Sequence, residues 1–466
     1  MSKIIAIFFL ALILSRLILT DNLRYAFILS LLPVLLFIVQ KKLTQNNIIK
    51  ILIIGAFFPI PLNVSTTNLG PTSQYFIITV FFITLTSYII KKKGFAYNKN
   101  LLKIICFLLI CAIISTITTI GQFAIFRTSF WAFIMLTACC LFLLLIDSLK
   151  FPDYDETKKF FIEVMDLIVF LTCIQIIIGI VVYYIPDTER FLKIFYSVNI
   201  TDFQFYGRSV DINDKRLHTI VLPVESLGEY IAILFPYVMY RLSDKVNISF
   251  MAYLVILCMG LMLCGTRSGL LLSGFAIAAY LFIIETSLKK RFLTLVIFLS
   301  IISLVLYFGI GVHLVVGRFS EAYGAYVSGN DLLAVTNRSF FKTNVEYFIN
   351  KLSFFGNGLV SPLIYGFLHI DFHNLYQTII FQYGMIGSVF YFALPASLIR
   401  LALIKRKKFP QEKLYTVILL SVSIFLINEC KYEFTRKING ILIIWITFSM
   451  YYLFSKNIQC KKHTID

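Results

Sequence analysis

Apolar runs about as long as a bilayer is thick recur along the whole chain, and that recurrence constrains the fold before any motif does. A helix rises 1.5 Å per residue, so roughly 17–25 residues cross about 30 Å of hydrocarbon. Inside hydrocarbon every backbone N–H and C=O must find a partner within the protein, which leaves helices or closed barrels. The runs here are continuous, without the alternation of a barrel strand, and so predict helices. The expectation is an all-α polytopic membrane protein with about fourteen transmembrane helices, within a range of 12–14. The spans fall near 4–20, 25–40, 48–62, 73–90, 101–120, 126–147, 160–184, 221–241, 248–264, 268–285, 291–311, 374–400, 413–428 and 438–455. Met1 to Thr20 reads as the first membrane helix and not as a removable signal peptide, because no small-residue cleavage site and polar stretch follow it. Composition agrees: 59% of residues are hydrophobic, 14% are charged, and mean hydropathy is +0.86.

Five regions follow from this division. They are membrane helices over 1–184, a first large outer loop over 185–220, central helices over 221–311, a second large outer loop over 312–373, and helices with an inner tail over 374–466. Within the second loop, Arg338 to Leu352 reads as an amphipathic helix with Phe341, Val345, Phe348 and Leu352 in one stripe. Such a helix would lie on the membrane surface; the plain alternative is a solvated stripe on a packing helix.

A net charge of +18 would point to nucleic acid in a soluble chain, but here Lys and Arg first set orientation. With both termini cytoplasmic, 26 of the 42 basic residues (22 Lys, 4 Arg) fall inside and 16 (6 Lys, 10 Arg) fall outside. The total follows the positive-inside rule, and the outer share is mostly Arg. Arg grips phosphate with a rigid fork where Lys offers a point charge, so an Arg-rich outer face fits an anionic substrate. Snorkelling to headgroups accounts for Arg16 and Arg24. The cysteines form no CxxC and no outside pair, and no P-loop, GxSxG elbow or outer acidic metal cluster is present.

Among five histidines, His373 stands out because Asn374 follows it at the start of the span expected over 374–400. Gly384-Met385-Ile386-Gly387 then places small residues one to two turns deeper along that span. A histidine at a helix amino terminus tends to stay neutral and able to accept a proton, and the free N–H groups of the first turn favour an anion. The alternative is an interfacial histidine satisfied by a neighbour. Arg267, in Thr266-Arg267-Ser268-Gly269, opens another span; an arginine there is otherwise an anchor. Arg216 precedes a span that carries Glu225 and Glu229 one turn apart, whose expected role is pairing with nearby arginines, the alternative being that one of them binds a hydroxyl. Phe355-Gly356-Asn357-Gly358 reads as a turn leading the loop back toward His373.

With these motifs in place, residues 200–400 resemble the O-antigen ligase and O-antigen polymerase superfamily. The resemblance rests on His373-Asn374 followed by Gly384 and Gly387, on Cys264-Gly265-Thr266-Arg267-Ser268-Gly269, and on Arg338 with the Phe-Phe-Gly-Asn-Gly turn beyond it. It implies a metal-independent, inverting glycosyl transfer with no cofactor, on glycans carried by undecaprenyl diphosphate at the periplasmic face of the bacterial inner membrane. It also implies His373 as the base on the acceptor hydroxyl, with Arg267, Arg338 and Arg216 holding the donor diphosphate. Asn374, Arg318, Arg208 and Glu229 are the supporting candidates; Arg318 echoes an Arg-containing loop pattern, and Arg208 competes with Arg216. The implied partners are the lipid-linked oligosaccharide as donor and acceptor, membrane lipids and a chain-length regulator protein, with no nucleic acid. A polymerase, with a ligase as alternative and a lipid-linked oligosaccharide flippase as a more remote one, completes the expectation.

Overall fold

In a computed structural model the described residues are 45–57, 98–185, 217, 219, 224–244, 247–309, scattered positions over 312–328, 341–360, 374–429 and 438–456. They form helices α1 (Gln45–Phe57), α2 (Lys99–Ile117), α3 (Phe123–Asp147), α4 (Tyr154–Tyr184), α5 (Val224–Asp244), α6 (Ile248–Cys264) and α7 (Arg267–Ala279), the last prolonged by a π-helical turn at Tyr280–Ile284. Then come α8 (Leu288–Tyr307), α9 (Phe341–Asn350), α10 (Leu375–Lys408), α11 (Lys413–Glu429) and α12 (Ile438–Lys456). Each expected span from 48–62 onward, apart from 73–90, falls on one of these helices. The spans at 4–20, 25–40 and 73–90 lie outside the described residues.

Six of the helices are long and apolar enough to cross a membrane: α2, α3, α4, α7 with its π turn, α8 and α10. α8 leaves Phe292, Leu299 and Leu304 largely uncovered by protein, an arrangement that hydrocarbon tolerates and water does not. At the other extreme, α5 is buried on every side from Ser226 to Tyr240 and packs against α6, α7 and α11. Around it α10 lies on α2 and α11, and α12 lies on α3 and α4. The chain is a helical membrane protein with α5 at its centre.

The helix ends sort by charge. Lys456 pairs with Asp147 at 2.5 Å, Lys158 with Glu412 at 2.7 Å, and Lys413 with Glu285 at 2.7 Å. These contacts gather the end of α3, the start of α4, the end of the π turn, the α10–α11 connection and the end of α12 at one end of the bundle. We call it the basic end; the opposite ends of the same helices form the far end.

Candidate functional site

Two constructions meet at the far end. The first is the join between α6 and α7. Gly265 closes α6 in the left-handed region at φ 60°, which only glycine adopts without strain. Thr266 follows as the residue before α7, and Arg267 is the first residue of that helix. Ser268 donates its hydroxyl to Glu229 Oε1 at 3.2 Å, tying the start of α7 to a buried carboxylate on α5. Gly228 and Gly269 permit this approach, because a methyl on either would strike the Thr266 hydroxyl wedged between the two helices. Leu217 N donates to Leu263 O at 3.0 Å and brings the chain ahead of α5 to the same join.

The second construction corrects the reading of 374–400 as one continuous span. α10 is broken at Gly384, whose φ of 73° and ψ of 176° no helix contains. Tyr376 and Phe392 would stand roughly 24 Å apart on a straight helix, yet their rings stack with centroids 5.2 Å apart. The chain therefore turns back sharply at Gly384, and the glycine is not one to two turns deeper than Asn374. It sits beside Ser115, near the far tip of α2.

A break in a membrane helix strands backbone groups, and here each is taken up by another part of the chain. In a continuous helix Met385 N–H would bond Phe381 O, and Ile386 N–H would bond Gln382 O. Instead Met385 N donates to Ser353 O at 3.0 Å and Ile386 N to Phe354 O at 3.2 Å. Phe381 O accepts from Asn357 N at 2.9 Å, and Gln382 O accepts the Ser115 hydroxyl. The Ser115 oxygen takes Gly358 N at 2.9 Å, and Ser129 Oγ takes Leu359 N at 2.8 Å. Gln382 Nε2 returns to Val360 O at 3.3 Å. The Phe355-Gly356-Asn357-Gly358 turn is thus inserted into the break, and a methyl at Gly356 or Gly384 would collide with facing backbone.

Asn374 caps the half-helix that leads into the break. Its Oδ1 accepts from Tyr376 N at 2.9 Å and Gln377 N at 3.3 Å. That corrects the expectation of a first turn with free N–H groups for an anion: the Asn side chain occupies two of them, as an N-cap does. Any anion here must be held mainly by side chains. Tyr376 donates its hydroxyl to Leu426 O at 3.0 Å, docking the half-helix on the last turn of α11. The α9 helix lies nearby, with Tyr347 6.4 Å from the Phe381 ring. From residue 345 onward Tyr347 and Phe348 are half-buried while Val345, Ile349 and Leu352 stay uncovered, so the described part of the expected stripe is split between protein contact and the outside.

Of the candidate residues, Arg267, Glu229 and Asn374 are placed at the far end. His373, Arg338, Arg216, Arg318 and Arg208 lie outside the described residues. Sequence reasoning missed Ser115, Ser129 and Gln382, which close the break, and Asn428 and Glu429, which are buried at the end of α11. Serines in apolar spans are too common to signal anything alone. The polar Asn428-Glu429 pair ending an apolar run was a usable signal. No protein-family model matches the chain, and no curated protein matches it either.

Proposed function

We propose that this chain is a surface-polysaccharide polymerase of the O-antigen type: an inner-membrane glycosyltransferase that joins undecaprenyl-diphosphate-linked repeats at the periplasmic face. The observation that carries this reading is the insertion of the Phe355–Gly358 turn into the break at Gly384. It brings together, through hydrogen bonds between residues 353–357 and 381–386, two motifs that both belong to the resemblance. Asn374, the residue after His373, caps the short helix leading into that join. The far end is then the periplasmic end, the basic end and both termini are cytoplasmic, and the full count is fourteen spans.

In the proposed reaction His373, as neutral imidazole, removes the proton from the acceptor sugar hydroxyl. That oxygen attacks the anomeric carbon of the donor, the bond to the diphosphate breaks, and the configuration inverts. Arg267, Arg338 and Arg216 hold the diphosphate as negative charge develops on it. A preorganised partner of this kind is worth about 10²–10³-fold in rate. With Asn374 committed to capping, the guanidinium groups carry the anion. Arg318, Arg208 and Glu229 support them, Glu229 from its bond to Ser268 beside Arg267.

The same donor chemistry serves a ligase that delivers the glycan to lipid A-core. A flippase is favoured by one observation, the discontinuous helix, since transporters use broken helices at their binding sites. A lipopolysaccharide gel from a host lacking the gene separates the three. A core with a single repeat and no ladder is the polymerase outcome. A bare core with glycan left on its lipid carrier is the ligase outcome, and an unchanged ladder removes both enzymes.

A further inference from the structure

Asn428 is the one buried side chain at the end of α11 whose polar atoms are left unanswered. It is 2% exposed, and neither Oδ1 nor Nδ2 has a hydrogen-bond partner among the described residues. Proteins seldom leave a buried amide with both functions unbonded, and each such group calls for an explanation. Two nearby groups on α11 are answered: Ser421 accepts from the Tyr451 hydroxyl at 3.2 Å, and the Leu426 carbonyl accepts from Tyr376.

Its position ties it to both far-end constructions. α11 packs on α10, whose first turn carries Asn374, and on α5 and α7, which carry Glu229 and Arg267. Counting along α11, Asn428 stands fifteen residues from Lys413, and along α5 Glu229 stands fifteen from Asp244, each roughly 22 Å from the basic end. By this count Asn428 and Glu229 lie at a similar depth on packed helices, and Ser268 is bonded to Glu229.

We propose that Asn428 is a further substrate-binding residue of the far-end site, hydrogen-bonded to a hydroxyl of a glycan sugar. The amide offers an acceptor and two donors side by side, which suits a hydroxyl that both gives and takes a proton. A carboxylate would only accept, and an ammonium would only donate. Closing on a sugar satisfies the amide and selects against chains lacking that hydroxyl, since a site built to bond a hydroxyl rejects its absence strongly. This assignment rests on the glycosyl-transfer reading above.

The test uses the full chain as the only copy in its host, with three readouts: the surface-polysaccharide ladder, the pool of lipid-linked repeats, and the melting temperature of the purified protein in detergent. Asn428→Leu keeps the branched four-atom shape, slightly enlarged, and removes both polar functions. For an amide that merely packs, that exchange leaves the ladder whole and raises the melting temperature. The proposal expects polymer formation to fall about tenfold, the worth of roughly two hydrogen bonds, with lipid-linked repeats accumulating and the melting temperature unchanged or higher. Asn428→Ala gives the same readout if the leucine variant does not accumulate. A wild-type ladder in either folded variant overturns the assignment. A ladder that survives deletion of the gene itself overturns the glycosyl-transfer reading and this assignment together, whereas loss on deletion with retention in Asn428→Leu overturns the assignment alone.

Discussion

The two ends of the bundle use polar groups in opposite ways. At the basic end, charges answer one another. Asp147 is fully buried and takes Asn98 N at 2.6 Å, the Tyr452 hydroxyl at 3.0 Å and the Lys456 ammonium, while Glu412 takes Lys158 and the Tyr154 hydroxyl. At the far end, a helix is broken, its backbone is answered by an inserted turn and by the Ser115 hydroxyl, Ser129 holds the inserted segment at Leu359 N, and Asn428 keeps both of its polar atoms unbonded. The carboxylates of the first arrangement are all answered within the protein. The second maintains a bent, glycine-dependent backbone beside buried polar groups, and membrane proteins hold such features where something binds.

Substitutions that damage one end only would sharpen this contrast. The largest effect is expected at His373→Ala. Product formation should fall about 10²–10⁴-fold, the usual worth of a positioned base, with insertion and melting temperature unchanged; polymer synthesis in proteoliposomes measures it, and full activity removes the base role. Next comes Gly384→Ala. A left-handed φ alone costs on the order of 1–3 kcal/mol, and the added methyl meets the Phe354 carbonyl. The variant should therefore lose both stability and product, and a normal melting curve would mean that the break is not needed.

At the opposite end, Asp147→Asn leaves the Lys456 ammonium without its carboxylate. Breaking a buried pair costs about 3 kcal/mol, so the melting temperature should drop while turnover per folded molecule is retained. Loss of turnover there would erase the division between the ends. The smallest effect is a pH response. Burial alone would push the Glu285 carboxyl up, but the Lys413 ammonium and the Ser287 N–H outweigh it and hold it below its ordinary 4.5. A lowered pKa contributes stability that is present above 4.5 and is lost as pH falls through the folded value. Melting curves taken across that range should show the loss, and Glu285→Gln should flatten it. An unchanged slope would mean that the pair adds nothing.

Much of this was legible in the chain. Over the described residues expected spans and helices coincide, because a hydrophobic run in hydrocarbon has one way to satisfy its backbone. The break was misread for an equally physical reason. Gly384 is tolerated within an apolar helix, so nothing local shows that the helix bends there. The bend is stable because Ser353, Phe354 and Asn357 supply the missing hydrogen bonds from a segment far back along the chain.

The sequence by itself therefore determined the class of molecule and the positions of the described helices, since these follow from residue-by-residue transfer into hydrocarbon. Only the tertiary structure decided that α10 reverses at Gly384, that the glycine turn closes the gap, and that Asn428 stands unbonded at a similar depth to Glu229. Each depends on which distant groups meet, and pairing across the fold is information that no local pattern holds.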